Sequence, residues 1–285
     1  MNLYRLLFLV VIGGVTLTGS ACSVYRPAIL QLPAIRAAHE AEVNAGVDLN
    51  GFIGINGAYS PVKHLLITAA GSGSWHAPTT SNRHRQALQR QGQIGLGAYF
   101  PIDERNVLSV IVGAGKAHSF DSEYQADIGL GRTFPSTHQE DYLIHAYTQQ
   151  KFLQTGWQTN ASGRYTTCQF GFAYRLGFLQ YKRYQVIDEI RSREGELLSR
   201  EEVSYSLPSY LRHDVWAQLQ LGSNNFPAVQ FRLGLGSSAS TTPNGWQNPT
   251  KSLIHHTEVE SQGIFLGQAS LVFYPHLLKK KSSNY

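Results

Sequence analysis

The chain has 285 residues, of which 15% are charged and 11% aromatic, with 27 Gly, 15 Tyr and 13 Phe. That mixture suits strands rather than helices, and no shift in composition divides the chain into two domains. The formal charge of +5 does not by itself indicate nucleic acid, because Lys and Arg are scattered or lie in expected loops instead of lining a helix, and anionic lipid headgroups or lipopolysaccharide are equally good partners for it.

Residues 1–21 read as an export signal: Arg5 gives a sparse positive start, "LLFLVVIGGV" an apolar stretch too short to span a bilayer, and "GSA" a small-residue cleavage site. The sequence "LTGSAC" also has the form of a bacterial lipobox ending at Cys22, where the cysteine would carry a lipid anchor. Ordinary cleavage after Ala21 is the alternative reading. Cys168 is the only other cysteine, so no disulfide framework is expected. Residues 22–38, marked by the prolines of "RPAILQLPAIRAAHE", are expected to form a periplasmic linker.

From 39 to 276 the dominant signal is alternation, the period of a strand. Ala41, Val43, Ala45, Val47 and Leu49 oppose Glu42, Asn44, Gly46 and Asp48. Ile94, Leu96, Ala98 and Phe100 oppose Gln93, Gly95 and Gly97. Leu108, Val110, Val112 and Ala114 oppose Ser109, Gly113 and Gly115, with Ile111 as an intruder on the polar side. Cys168, Phe170, Phe172, Tyr174, Leu176 and Phe178 oppose Thr167, Gln169, Gly171, Ala173, Arg175 and Gly177. Val215, Ala217, Leu219 and Leu221 oppose Trp216, Gln218 and Gln220, and Val229, Phe231, Leu233 and Leu235 oppose Ala228, Gln230, Arg232 and Gly234. Phe265, Ala269, Leu271 and Phe273 oppose Gln268 and Ser270.

No apolar run after the signal is long enough for a membrane helix, so a membrane reading requires a barrel. Soluble sheets also alternate, but their polar faces usually carry Lys and Glu. Here that face carries Gln, Ser, Thr, Asn and Gly, the inventory of a narrow lumen. Glu42, Asp48, Gln169, Arg175, Gln218, Gln230 and Arg232 are the expected lumen-facing polar residues, and the opposite charges among them are placed to pair across it.

Connection lengths support the same architecture. Asn50 and Gly51 supply a tight hairpin signal. Short links are then expected at 60–64, 101–106, 154–162 and 223–226, alternating with long ones at about 76–90, 118–141, 183–212 and 239–260. Short periplasmic turns alternating with long external loops are the pattern of an outer-membrane barrel. The expectation is an all-β, antiparallel, up-and-down transmembrane barrel of about ten strands, with eight or twelve as alternatives, both chain ends on the periplasmic side and a tail at 277–285.

Several stretches together carry a resemblance: "CSVYRP", "EAEVNAGVDLNGFIGINGAYSPVKHLLI", "GLGAYFP", "VIVGAGK" and "KFLQTGW". They resemble the small outer-membrane β-barrel lipoproteins of Bacteroidetes-type bacteria. The resemblance implies a barrel in the outer membrane, handled by the barrel-assembly machinery, and implies no chemistry.

No stretch specifies catalysis, a metal or a cofactor. "VIVGAGKAH" lacks the spacing of a phosphate loop, and its glycines read as small lumen residues. His213 and Asp214, with Asp141 and His145 near the same rim, are the best acid–base candidates, yet adjacent strand residues point to opposite faces. The pair His255 and His256 has no further ligand at metal spacing. The basic stretches 83–90 and 182–202 read as solvated external loops in which Arg can meet lipopolysaccharide phosphates, and Lys279–281 as a soluble tail. The expected role is structural or surface-interacting, with a narrow channel or small-ligand binder, and a rim hydrolase or acyl-modifying enzyme, as alternatives.

Overall fold

The computed structural model describes residues 32–49, 51–76, 79–80, 83–126, 138–192, 195–207, 209–241 and 264–278. Cys22, His255 and His256, Lys279–281 and the export signal lie outside the described residues, as do the side chains of 83–87 and Asp141.

Twelve strands form one antiparallel sheet: β1 (Ala41–Asp48), β2 (Ile53–Tyr59), β3 (Leu65–His76), β4 (Thr79–Thr80), β5 (Arg83–Pro101), β6 (Asn106–Ala126), β7 (His138–Ser162), β8 (Thr166–Ser192), β9 (Leu197–Tyr205), β10 (Tyr210–Ser223), β11 (Phe226–Thr241) and β12 (Ile264–Phe273). Neighbours run in chain order, β1 pairs with β12, and β8 pairs with β10, so ten of the strands close a ring. The small strand β4 sits against β5, and β9 pairs with the outer half of β8 while β10 pairs with its inner half. Ten is therefore the strand number of the barrel, and neither eight nor twelve.

The start of β1 and the chain following β12 meet at the rim of short turns, where the Ala41 amide lies 3.2 Å from His276 Nδ1 in a short helix, α1 (Pro275–Leu278). Each turn there has a local cause. At 102–105 the Asp103 carboxylate accepts from the Arg105 and Asn106 amides and from Asn106 Nδ2, all at 2.7 Å, closing β5 onto β6. At the opposite rim, Gly51 takes the left-handed conformation (φ 78) that turns β1 into β2, and Asp48 Oδ1 accepts the Phe52 amide at 2.8 Å.

The wall is uneven in height. β1 and β2 have 8 and 7 residues, whereas β7 and β8 have 25 and 27. The stretches 83–90 and 182–192, expected as loops, are strand, and so is 154–162, expected as a turn; the turn between β7 and β8 is 163–165. About ten tilted residues cross a bilayer, so more than half of β7 and β8 stands beyond that height.

Burial is inverted relative to a soluble domain. Ile53, Ile94, Val112, Phe172, Leu219, Phe231 and Leu271 are exposed on the outer surface, while Glu42, Gln154, Arg175, Asp214 and Gln220 are buried inside. Outward aromatics Tyr59, Phe100, Trp157 and Phe273 gather toward the turn rim, as in the aromatic girdles of membrane barrels.

Candidate functional site

The lumen is filled from the turn rim upward. Instead of remaining outside as a linker, the chain from Leu32 to Ile35 lies within the barrel, with both of these side chains 1% exposed. Arg36 then reaches back to the rim and donates to the carbonyls of Glu104 and Arg105 in the 102–105 turn.

Leu32 has a built seat. Gln158 Nε2 and Gln218 Nε2 donate to its carbonyl at 2.9 and 3.1 Å, and its side chain joins Ala173, Trp216 and Leu266. A Cβ at Gly156 or Gly171 would run into the end of the Leu32 side chain, so both glycines leave room for it. Ile35 packs with Ala58, Leu66, Tyr99, Val107, Ile111 and Phe152. Ile111, an apolar intruder in its strand's polar face, is thus part of the apolar seat for this inserted segment.

Beside the inserted segment lies a charged floor. Arg232 Nη2 donates to Glu42 Oε1 at 2.6 Å, with both side chains buried, and also to Gln220 Oε1 at 2.6 Å. Glu42 Oε2 accepts the Ala34 amide at 2.8 Å and the Tyr274 hydroxyl at 3.3 Å, and Gln220 Nε2 donates to Gln230 and to Tyr274. Tyr274, just past β12, has its hydroxyl pKa pushed up chiefly by burial and further by the Glu42 charge, which keeps it a donor.

A second polar layer crosses the barrel. Arg175 donates to Gln154 Oε1 at 2.8 and 3.2 Å and to Gln93 Oε1 at 3.1 Å, with its guanidinium carbon 4.3 Å from the Phe152 ring centre. Gln150 Nε2 donates to Gln93, and Arg212 donates to Gln150 and to Asp214. Asp214 Oδ1 accepts the Ser238 hydroxyl at 2.6 Å. This network ties β5, β7, β8, β10 and β11 together.

All seven polar residues expected in the lumen lie on inward positions. The structure brings Glu42, Gln230 and Arg232 into the floor, Gln218 against Leu32 and Arg175 into the second layer. Asp48 lies apart at the far end of β1, beside Gln268 and a small void of about 20 Å³, and Gln169 sits low on β8 between Asn160 and Gln220. Sequence reasoning missed Leu32, Ile35, Gln93, Gln150, Gln154, Arg212 and Tyr274. The acid–base candidates do not converge: His213 faces outward, with Nδ1 2.7 Å from the Tyr174 hydroxyl, while Asp214 is held inside by Arg212 and Ser238. His145 also faces outward, stacked 5.9 Å from His118. Gly113 is a lumen position against Phe152, in keeping with the reading of "VIVGAGK" as barrel wall.

No protein-family profile and no curated protein sequence matches the chain. Among solved structures, it is similar to the translocator domain of the autotransporter NalP from Neisseria meningitidis, with a TM-score of 0.41 and 8% identity over 82% of this chain and 86% of that one. It is also similar to the outer-membrane protease OmpT from Escherichia coli, with a TM-score of 0.38 and 9% identity over 82% and 93%. For LpxR from Salmonella typhimurium the values are 0.33 and 8% over 82% and 99%. Likeness at this level assigns no activity.

Proposed function

We propose that the chain is an integral barrel of the bacterial outer membrane, closed to ion flow, which holds the tall wall formed by β5–β9 above the membrane as a structural or surface-interaction element. The observation that carries this reading is the inverted burial: an apolar outer surface on all ten ring strands around a charged interior favours lipid as the surrounding medium. The segment 32–35 and the two polar layers that cross the lumen favour a closed barrel over a channel. Export by residues 1–21 and lipidation of Cys22 are parts of the same proposal, as is assembly by the barrel-assembly machinery.

The role is read as non-catalytic, because His213 and Asp214 stand on opposite faces of one strand, out of mutual reach. The test is cell fractionation combined with planar-bilayer conductance. The proposal expects heat-modifiable protein in the outer-membrane fraction and no steady conductance. Stable single-channel steps from the unaltered protein would replace it with the channel reading.

A further inference from the structure

The outer surface of β5–β8 differs from the rest of the wall. Three rows of outward residues run across these strands in register with β3: Gly73, Arg90, His118, Tyr147 and Arg183; then Gly71, Gly92, Lys116, Gln149 and Gln180; then Ala69, Ile94, Ala114, Lys151 and Phe178. They place Arg90, Lys116, Lys151 and Arg183 on four adjacent strands, a span of roughly 15 Å at the usual strand spacing. All four are exposed, and no acidic residue stands in these rows. Among the described residues, no Lys or Arg points outward from β1, β2, β3, β10, β11 or β12, so the charge is confined to one side of the barrel.

The patch borders a groove. A cavity of about 790 Å³ runs along the second and third rows, lined by the outward residues Ile55, Ile94, Phe178, Lys116, Gln149 and Lys151 and reaching through the wall to the inward Asn56, Gln93 and Gln150. Gly57, Gly71, Gly92 and Ala114 leave its floor without bulky side chains. The rows lie farther from the turn rim than the outward apolar residues Leu96, Phe100, Val112, Leu153 and Phe172 of the same strands.

We propose that this groove binds lipid A, the bisphosphorylated acylated disaccharide of the outer leaflet. Acyl chains lie on Ile55, Ile94 and Phe178, while Lys116, Lys151, Arg90 and Arg183 meet the phosphates through charge-assisted hydrogen bonds. A spread of four cations over four strands suits a head with two separated phosphates better than the single phosphate of a glycerophospholipid. This inference rests on the outer-membrane reading and names the lipid contacted by that barrel.

The test is native mass spectrometry of the full-length protein in detergent, titrated separately with bisphosphorylated lipid A, phosphate-free lipid A and phosphatidylglycerol, for the wild type and for Lys116→Gln/Lys151→Gln. Both lysines are exposed on the outer surface, and heat-modifiability checks that the variant is assembled. The wild type is expected to bind bisphosphorylated lipid A at least about tenfold more tightly than the other two lipids, and the variant to lose about tenfold for that ligand alone, about 1.4 kcal/mol. Equal wild-type binding of phosphorylated and phosphate-free lipid A, or an unchanged variant, would overturn the site. Phosphatidylglycerol binding as tightly and as sensitive to the variant would overturn the choice of lipid. Outer-membrane fractionation of the same proteins reports separately on the location: a protein that fractionates correctly but ignores lipid A removes this inference alone.

Discussion

Arg232 and Glu42, 190 residues apart in the chain, meet at 2.6 Å inside the barrel, and the same glutamate accepts the amide of Ala34 in the inserted segment. One carboxylate therefore joins β11, β1 and the residues that close the lumen. A buried ion pair is costly to form, and removing one member leaves the other charge without compensation.

Arg232→Met should consequently destabilise the barrel by about 3–5 kcal/mol, since Glu42 would remain buried with only neutral donors. The double variant Arg232→Met/Glu42→Leu should recover much of that loss. Urea unfolding of protein in micelles, followed by the loss of heat-modifiability, measures both; a single variant as stable as the wild type would show that the pair contributes little.

Gly171→Val should displace the inserted segment, because even a Cβ at this position meets Leu32. Overpacking of this kind costs about 1–3 kcal/mol. If the strain is relieved by expelling the segment, proteolysis should cut within 32–38 in the variant and leave the wild type intact at the same protease dose. Equal resistance of both proteins would contradict the close seat described for Leu32.

The two faces of the wall should respond differently to substitution. Phe172→Arg places a charge on the outer surface and should cost about 2–4 kcal/mol if the site lies near the bilayer midplane. Ser109→Ala, inside the lumen, removes one long hydrogen bond of 3.4 Å to the Gly156 carbonyl and should cost about 1 kcal/mol or less. The amount of heat-modifiable barrel in outer-membrane fractions ranks the two, and a reversed order would mean that the faces are assigned backwards.

At the turn rim, three hydrogen bonds to the Asp103 carboxylate hold its pKa below the usual value, the Asn106 side chain being the largest cause. A depressed carboxyl pKa adds stability above the unfolded value of about 3.9 and loses it as pH falls through the folded value. Asp103→Ala should therefore be less stable than the wild type at neutral pH, and the difference should vanish in acid. A difference that persists unchanged well below the unfolded pKa would assign the turn's stability to something other than the ionised carboxylate.

How much of this was legible before the structure follows from which residues alternate. The strict two-residue period around Phe172 and Phe231 gives both the strands and their outward faces. Arg90 and Lys182 mislead, because a barrel strand that leaves the lipid zone meets water and takes on the composition of a loop while continuing its ladder. The prolines of 27–33 suggest a linker, since nothing local marks Leu32 and Ile35 as buried. The readable sign was remote: Ile111 between Ser109 and Gly113, and glycines at 156 and 171 on faces that also carry Gln158 and Arg175. Gln93 stands on the polar side of its strand, Gln154 falls in an expected turn and Gln150 is not singled out, because pairing across a barrel depends on strand register, which alternation alone does not supply.

The central claim, that the apolar outer surface meets hydrocarbon around a closed polar interior, is tested most directly by spin labels in liposome-reconstituted protein. Labels at Leu96→Cys, Val112→Cys and Phe231→Cys, each in a Cys22→Ser/Cys168→Ala background, should collide readily with oxygen, which concentrates in lipid, and poorly with a water-soluble nickel chelate. Ready collision of all three labels with the chelate, at the rate of a label placed at Glu104, would show these faces in water and contradict the account.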